Sequence, residues 1–140
     1  MLAVTFDEIE DAFLFVSSES YGIHRALLCL DNGEIYYQSE LGGLDELDEE
    51  TFDCDHFVEI PHKSDLNLGL RLVYEFTEGQ MPDDFSRVQQ IFSSRGAYGR
   101  FKGLLEQRRM LQKWYDFEKQ REEQALREWM RENDIEIKAS

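Results

Sequence analysis

Cys54 and His56 lie two residues apart in the stretch CDHFVEIPH, and His62 closes it, so thiolate and imidazole donors of the kind that bind zinc fall within nine residues. The spacing, C-x-H-x5-H, matches none of the usual zinc ligand pairings. A strand between the two histidines would also point alternate side chains to opposite faces. No metal site is expected from these three. The preceding stretch is rich in oxygen donors: Glu40, Asp45, Glu46, Asp48, Glu49, Glu50, Asp53 and Asp55. It lacks the D-x-[DN]-x-[DN]-G pattern whose glycine lets a calcium loop turn, so a solvated acidic loop is expected. Nucleophilic chemistry has no better footing. Ser, His and Cys occur without a nucleophile elbow, there is no P-loop, and the glycines of GAYG (96–99) follow no strand. No catalytic residue and no cofactor is assigned. An enzyme built from distant carboxylates ranks third among the possible functions.

Two carboxylates on the C-terminal helix pattern pose a sharper question. On a 3.6-residue wheel Leu111, Trp114, Tyr115, Ala125, Leu126 and Trp129 share one face, and Glu118 and Glu122 fall within it. A metal pair of the helical-bundle kind would need Glu-x-x-His, and Arg121 stands where that histidine would be. The expectation is structural: Glu118 and Glu122 accept hydrogen bonds from Arg100 or Lys102, compensating a partly buried charge.

Charge is distributed unevenly in these 140 residues of net charge −15. Residues 1–60 hold sixteen carboxylates against Arg25 alone, a net of −15, while 61–140 hold fourteen of each sign. Within the second block Arg87 to Lys113 carries seven cations against Glu106, a net of +6. Arg95, Tyr98, Arg108, Arg109 and Lys113 are the candidate partner-binding residues. Their cations suit an anionic surface, and Tyr98 is available to stack. The overall negative charge repels a polyanion, so a protein partner ranks first and nucleic acid second. The expected function is a non-catalytic protein-interaction or regulatory module. No apolar run has the length of a membrane span, and the N-terminus turns acidic by Asp7, so a cytoplasmic protein is expected. In that reducing setting Cys29 and Cys54, 25 positions apart, are expected to be free thiols.

These side chains must be positioned by local structure. TFDEIEDAF opens with Thr5 and Glu8 in capping-box spacing, predicting an N-terminal amphipathic helix with Phe6, Ile9, Phe13 and Val16 on one face. β-rich residues on both sides of Asn32-Gly33 predict a hairpin, and HFVEI before Pro61 a third strand. Beyond Pro61 the period is helical. One helix starts at Ser64 and stops near Gly79; the next has Pro82 in its first turn and ends at Gly96. A further helical run from Ala97 to about Asn133 breaks near Arg108–Met110. The fold class is α+β: an N-terminal helix, a small antiparallel sheet of about three strands, then a bundle of about four helices. A single domain is expected over 1–140, with an acidic αβββ part to about residue 61, a helical part to about 134 and a short C-terminal tail.

RGAYGRFK (95–102), WYDFE (114–118) and ALREWMREN (125–133) together resemble the C-terminal region of the uncharacterised bacterial family UPF0158. The resemblance covers about half of the chain. It implies a small soluble bacterial protein and brings no activity, cofactor or site residue with it.

Overall fold

A computed structural model describes residues 2–139 and divides the chain into two compact units. The first takes the chain up to Leu66 and again from Glu123; the second is Asn67–Glu122. None of the described helices is long and apolar enough to cross a membrane.

In the first unit, β1 (Leu2–Thr5) runs directly into α1 (Phe6–Ser17). Thr5 is the N-cap: its hydroxyl accepts the Glu8 N–H at 3.2 Å and donates to Glu8 Oε1 at 2.8 Å. Ile9, Ala12, Phe13 and Val16 form the buried stripe of α1, which packs on β2 (His24–Cys29). β3 (Ile35–Ser39) and β4 (Phe57–Glu59) pair antiparallel with β2 on either side, in the order β3-β2-β4. The β2–β3 turn rests on Gly33, at φ 80°, whose N–H donates to the Cys29 carbonyl at 2.9 Å. Asn32 Oδ1 accepts the Glu34 N–H at 2.9 Å and steadies the same turn. The described elements thus include the expected helix and three strands.

Two strands at the ends of the sequence went unread. β1 and β5 (Ile135–Lys138) pair in parallel, from Leu2 opposite Ile135 to Thr5 opposite Lys138. The supposed C-terminal tail is therefore a strand. Four residues are too few to display a period, and a parallel partner about 130 residues away leaves no local turn signal.

The acidic connection is not simply solvated. It folds back along the outer edge of β3: Glu46 N–H donates to the Tyr37 carbonyl, and Glu46 Oε1 accepts the Tyr37 N–H, both at 2.9 Å. Asp45 Oδ1 accepts the Leu47 N–H at 3.1 Å and Asp48 Oδ1 the Thr51 N–H at 2.7 Å. These carboxylates serve as backbone acceptors and cover an otherwise open strand edge. The bonds from Thr51 hold the Asp48 carboxyl below its usual range. Phe52 then stacks edge-on against Tyr36 at 5.1 Å and Phe57 at 5.2 Å, fixing the end of the loop over the sheet.

The free-thiol expectation is overturned. Cys29, at the end of β2, forms a disulfide with Cys54, with Cα atoms 6.0 Å apart. Linear spacing carries no such information, because the hairpin and the docked loop bring the two residues together.

In the second unit α2 (Leu70–Gln80) begins later than Ser64. Asn67, at φ 57°, interrupts any helix before it. Pro82 opens a 3-10 turn (Pro82–Asp84) that leads into α3 (Phe85–Ile91). Gly96, at φ 71°, heads α4 (Ala97–Gln107) rather than ending α3. α5 (Leu111–Glu132) starts after the expected break and continues into the first unit. Phe76, Phe101 and Trp114 are buried and meet edge-on: Phe101–Trp114 at 5.2 Å and Phe76–Trp114 at 5.4 Å. Truncating a side chain of this size in such a cluster costs about 3–5 kcal/mol.

Two outcomes test these assignments. Gly33→Val should lower unfolding free energy by about 1–2 kcal/mol in a denaturant titration, because a β-branched residue is strained at positive φ. Gly33→Asn should lose less. Loop entropy for a 25-residue separation predicts that Cys54→Ser destabilises the chain by about 3.5 kcal/mol, with intact mass under non-reducing conditions verifying the bond in the parent protein.

Candidate functional site

The basic segment lies in the second unit, and α4 distributes it between two poles. Eleven residues at about 1.5 Å each separate the helix ends by about 16 Å. Arg95 and Tyr98 stand at the N-terminal pole; Arg108, Arg109 and, in the first turn of α5, Lys113 stand at the other. The five candidate residues therefore do not form one cluster. All are exposed.

At the first pole Arg100 is turned back on its own helix start. Its guanidinium donates to Ser94 Oγ at 2.7 Å and to the Arg95 carbonyl. Tyr98 keeps 46% of its surface exposed and packs edge-on against Phe92 at 5.0 Å. Partial burial, followed by the neighbouring Glu118 carboxylate, pushes its phenol above the ordinary value. Lys102 places its ammonium over the Tyr115 ring, 5.7 Å from the centroid. Glu118 thus acts on Tyr98, and Arg100 and Lys102 contact Ser94 and Tyr115 respectively.

The ion pairs that sequence reasoning missed involve other carboxylates. Arg108 grips Asp84 with both arms of its fork, Nε to Oδ2 at 2.9 Å and Nη2 to Oδ1 at 3.0 Å. Arg121 donates to Glu75, which Arg71 also approaches at 3.4 Å from one turn earlier in α2. The Arg108 guanidinium holds the Asp84 carboxyl below its usual range, and Arg121 does the same for Glu75. Partners 24 and 46 residues apart leave no trace in sequence spacing.

The corner between α4 and α5 has a defined cause. Met110 N–H donates to the Leu105 carbonyl at 2.8 Å and Arg109 N–H to the Glu106 carbonyl at 3.1 Å, the paired bonds of a Schellman cap. Such a cap puts its penultimate residue in the left-handed region, and here that residue is Arg109, at φ 57°. Glycine is the usual occupant. Neither Arg109 nor Lys113 has an ion-pair partner among the described residues. Lys113 also lies at the positive end of the α5 dipole, where acidic side chains are the favourable choice and none is present. It lines a shallow cleft of about 300 Å³ with Phe76, Gln80, Asp116, Phe117 and Gln120.

Among the concavities of the first unit, two are lined from the sheet and its loops. One, of about 240 Å³, is lined by Tyr21, His24, Arg25, Glu59, His62 and Asp65 among others. Most of its groups are engaged, Arg25 with Glu59 at 2.9 Å, while the buried His24 Nδ1 has no hydrogen-bond partner among the described residues. His62 Nδ1 accepts the Ser64 N–H at 3.0 Å, which leaves Nε2 as the donor to the Glu19 carbonyl at 2.8 Å. This histidine pins two loops together. The other cleft, about 440 Å³, gathers Glu8, Asp11, Glu34 and Glu46 around Tyr37, whose phenol is raised by burial and then by Asp11, Glu46 and Glu8. Beside the smaller of the two, Ser64 Oγ lies 2.8 Å from His62 Nδ1, the ring nitrogen that the Ser64 N–H also engages.

The depressed carboxyls have a pH signature. The unfolded chain binds protons at Asp84 and Glu75 more readily than the folded one, so the stabilisation is complete above about pH 5 and is lost as pH falls through the lower folded values. An Asp84→Asn, Glu75→Gln variant should show a flatter loss of stability on the acid side than the parent, measured by denaturant midpoints across acidic buffers.

No curated protein and no solved structure is significantly similar to this chain. The model of one uncharacterised protein family does match, over residues 27–140, which takes in the second half of β2, β3, the acidic loop, the basic segment and α5. The chain belongs to that family, UPF0158.

Proposed function

We propose that this chain is a non-catalytic protein-interaction module of the bacterial cytoplasm, and that Arg109 and Lys113 contact an anionic surface on its partner. The observation that carries this reading is the placement of Arg109. A non-glycine residue in the left-handed region carries a penalty of about 1–2 kcal/mol, and the Schellman cap would form more easily with glycine. The fold gives no use for the side chain, which is exposed and forms no ion pair with any described residue in a protein with 30 carboxylates. Lys113 stands against a helix dipole in the same way. Local cost borne by two neighbouring cations with no internal partner supports an external one. Arg108 is largely committed to Asp84 and shapes the corner rather than the contact. Arg95 and Tyr98, at the far pole, extend the surface.

Nucleic acid is the second reading, favoured only by exposed Tyr98 beside Arg95. The separating experiment uses Arg109→Gly, Lys113→Gln in the full chain. Its thermal midpoint should equal or exceed that of the parent, because the glycine relieves the left-handed conformation. In affinity purification from the native host, the parent should retain an acidic protein after nuclease treatment, and the variant should lose it. A lowered midpoint, or a partner held equally well by the variant, would sink the proposal. Nuclease-sensitive capture that weakens steeply with salt would put nucleic acid in its place.

A further inference from the structure

We propose that the Cys29–Cys54 disulfide occupies a latent zinc site, completed by Asp31 and His56, and that metal and disulfide are alternative states of the same four side chains. The sulfurs of both cysteines and a carboxylate oxygen of Asp31 all lie within 4.8 Å of one another. His56 Nδ1 is 3.4 Å from Asp31 Oδ1. The backbone sets this meeting. β2 continues past Cys29 alongside the approach to β4, where Leu30 N–H donates to the His56 carbonyl at 2.8 Å and Cys29 sits opposite Phe57. In sequence the donors read Cys-x-Asp and Cys-x-His, one pair on each limb.

Two thiolates, an imidazole and a carboxylate form a donor set suited to tetrahedral zinc, softer than calcium or magnesium accept. Zinc–sulfur bonds of about 2.3 Å put two ligating sulfurs about 3.8 Å apart. With Cα atoms 6.0 Å apart, side-chain rotation opens the pair to that distance without moving the sheet. Cys29 is buried, Cys54 partly buried, and the side chains of Asp31 and His56 are 57% and 74% exposed. The sulfurs are thus shielded while the oxygen and nitrogen donors leave a route for the ion.

The chemistry balances in two steps. A dithiol reductant passes two electrons and two protons to the disulfide, yielding Cys29 and Cys54 thiols and a cyclic disulfide of the reductant. Zn²⁺ then binds with release of the two thiol protons. In the reverse direction an oxidised disulfide accepts the two electrons and leaves as two thiolates, while the cysteine thiolates join as the S–S bond and release Zn²⁺. The reducing pool of a cytoplasm favours the metal state, and oxidative conditions favour the disulfide.

The test uses the full chain, reduced with a small dithiol and freed of it under anaerobic gel filtration. Addition of Co²⁺ should give thiolate-to-metal charge-transfer absorption saturating at a single equivalent, and Zn²⁺ should displace it. The oxidised chain should give none. Asp31→Asn and His56→Ala should each weaken affinity by about tenfold or more. The proposal is overturned if reduced protein shows no such band, or if both variants bind as tightly as the parent. It fails equally if a Cys29→Ser, Cys54→Ser variant retains its equivalent of Zn²⁺, which would assign the ion to the acidic loop. Circular dichroism of the reduced chain covers loss of fold: a reduced chain that is unfolded, and that Zn²⁺ does not restore, also refutes it.

Discussion

The parallel pairing of Leu2–Thr5 with Ile135–Lys138 joins segments about 130 residues apart, and much of the first unit is arranged around it. Thr5 ends the strand and caps α1 in the same residue, so the register of β1 fixes where the helix begins. Val4 and Ile135 are buried within the pair. A Cβ built on Gly33 would stand 3.4 Å from Leu2 Cδ1 and 3.5 Å from Val4 Cγ1, so the hairpin tip rests against β1. Arg127, near the end of α5, sits over the Phe6 ring at 4.4 Å. Hairpin, α1 and the end of α5 thus all meet at a ladder of four residues per strand.

The charge map acquires meaning from this division. The first unit carries five cations against 22 carboxylates, a net of −17, and the second ten against eight, a net of +2. A cut by sequence position alone places the closing segment with the neutral half that holds the basic stretch, although its residues belong to the acidic unit. In that unit several carboxylates have structural work, as acceptors for the backbone of the loop along β3. That use explains how so acidic a loop stays docked: backbone N–H groups engage Asp45, Glu46 and Asp48.

What the sequence made legible was local. The Thr5–Glu8 cap, the Asn32-Gly33 turn, Pro82 at a helix start and the break between α4 and α5 all rest on residues within a few positions of one another. What stayed hidden depends on long-range approach: the β1–β5 pair, the Cys29–Cys54 bond, and the Asp84–Arg108 and Glu75–Arg121 ion pairs. At the candidate site, composition picked out Arg109 and Lys113 as cations. Only backbone geometry distinguished them from Arg108, because the conformation of a Schellman cap is set by its hydrogen bonds and not by the arginine in it. The cysteines were visible too, but their meeting depends on how the loop folds back.

The β1–β5 ladder also bears on how the chain is made. A ribosome delivers residues in order, and β5 emerges about 130 residues after its partner. Throughout that interval β1 has an unpaired edge, while the segment from Asn67 to Glu122 has already left with all of its internal partners. The helical insert can consolidate during translation, but the unit that encloses it in sequence cannot. Until Ile135–Lys138 arrives, a short apolar strand stays open to pairing with any passing edge. The dense negative charge around it, on nascent chains that repel one another, is well suited to guarding that wait.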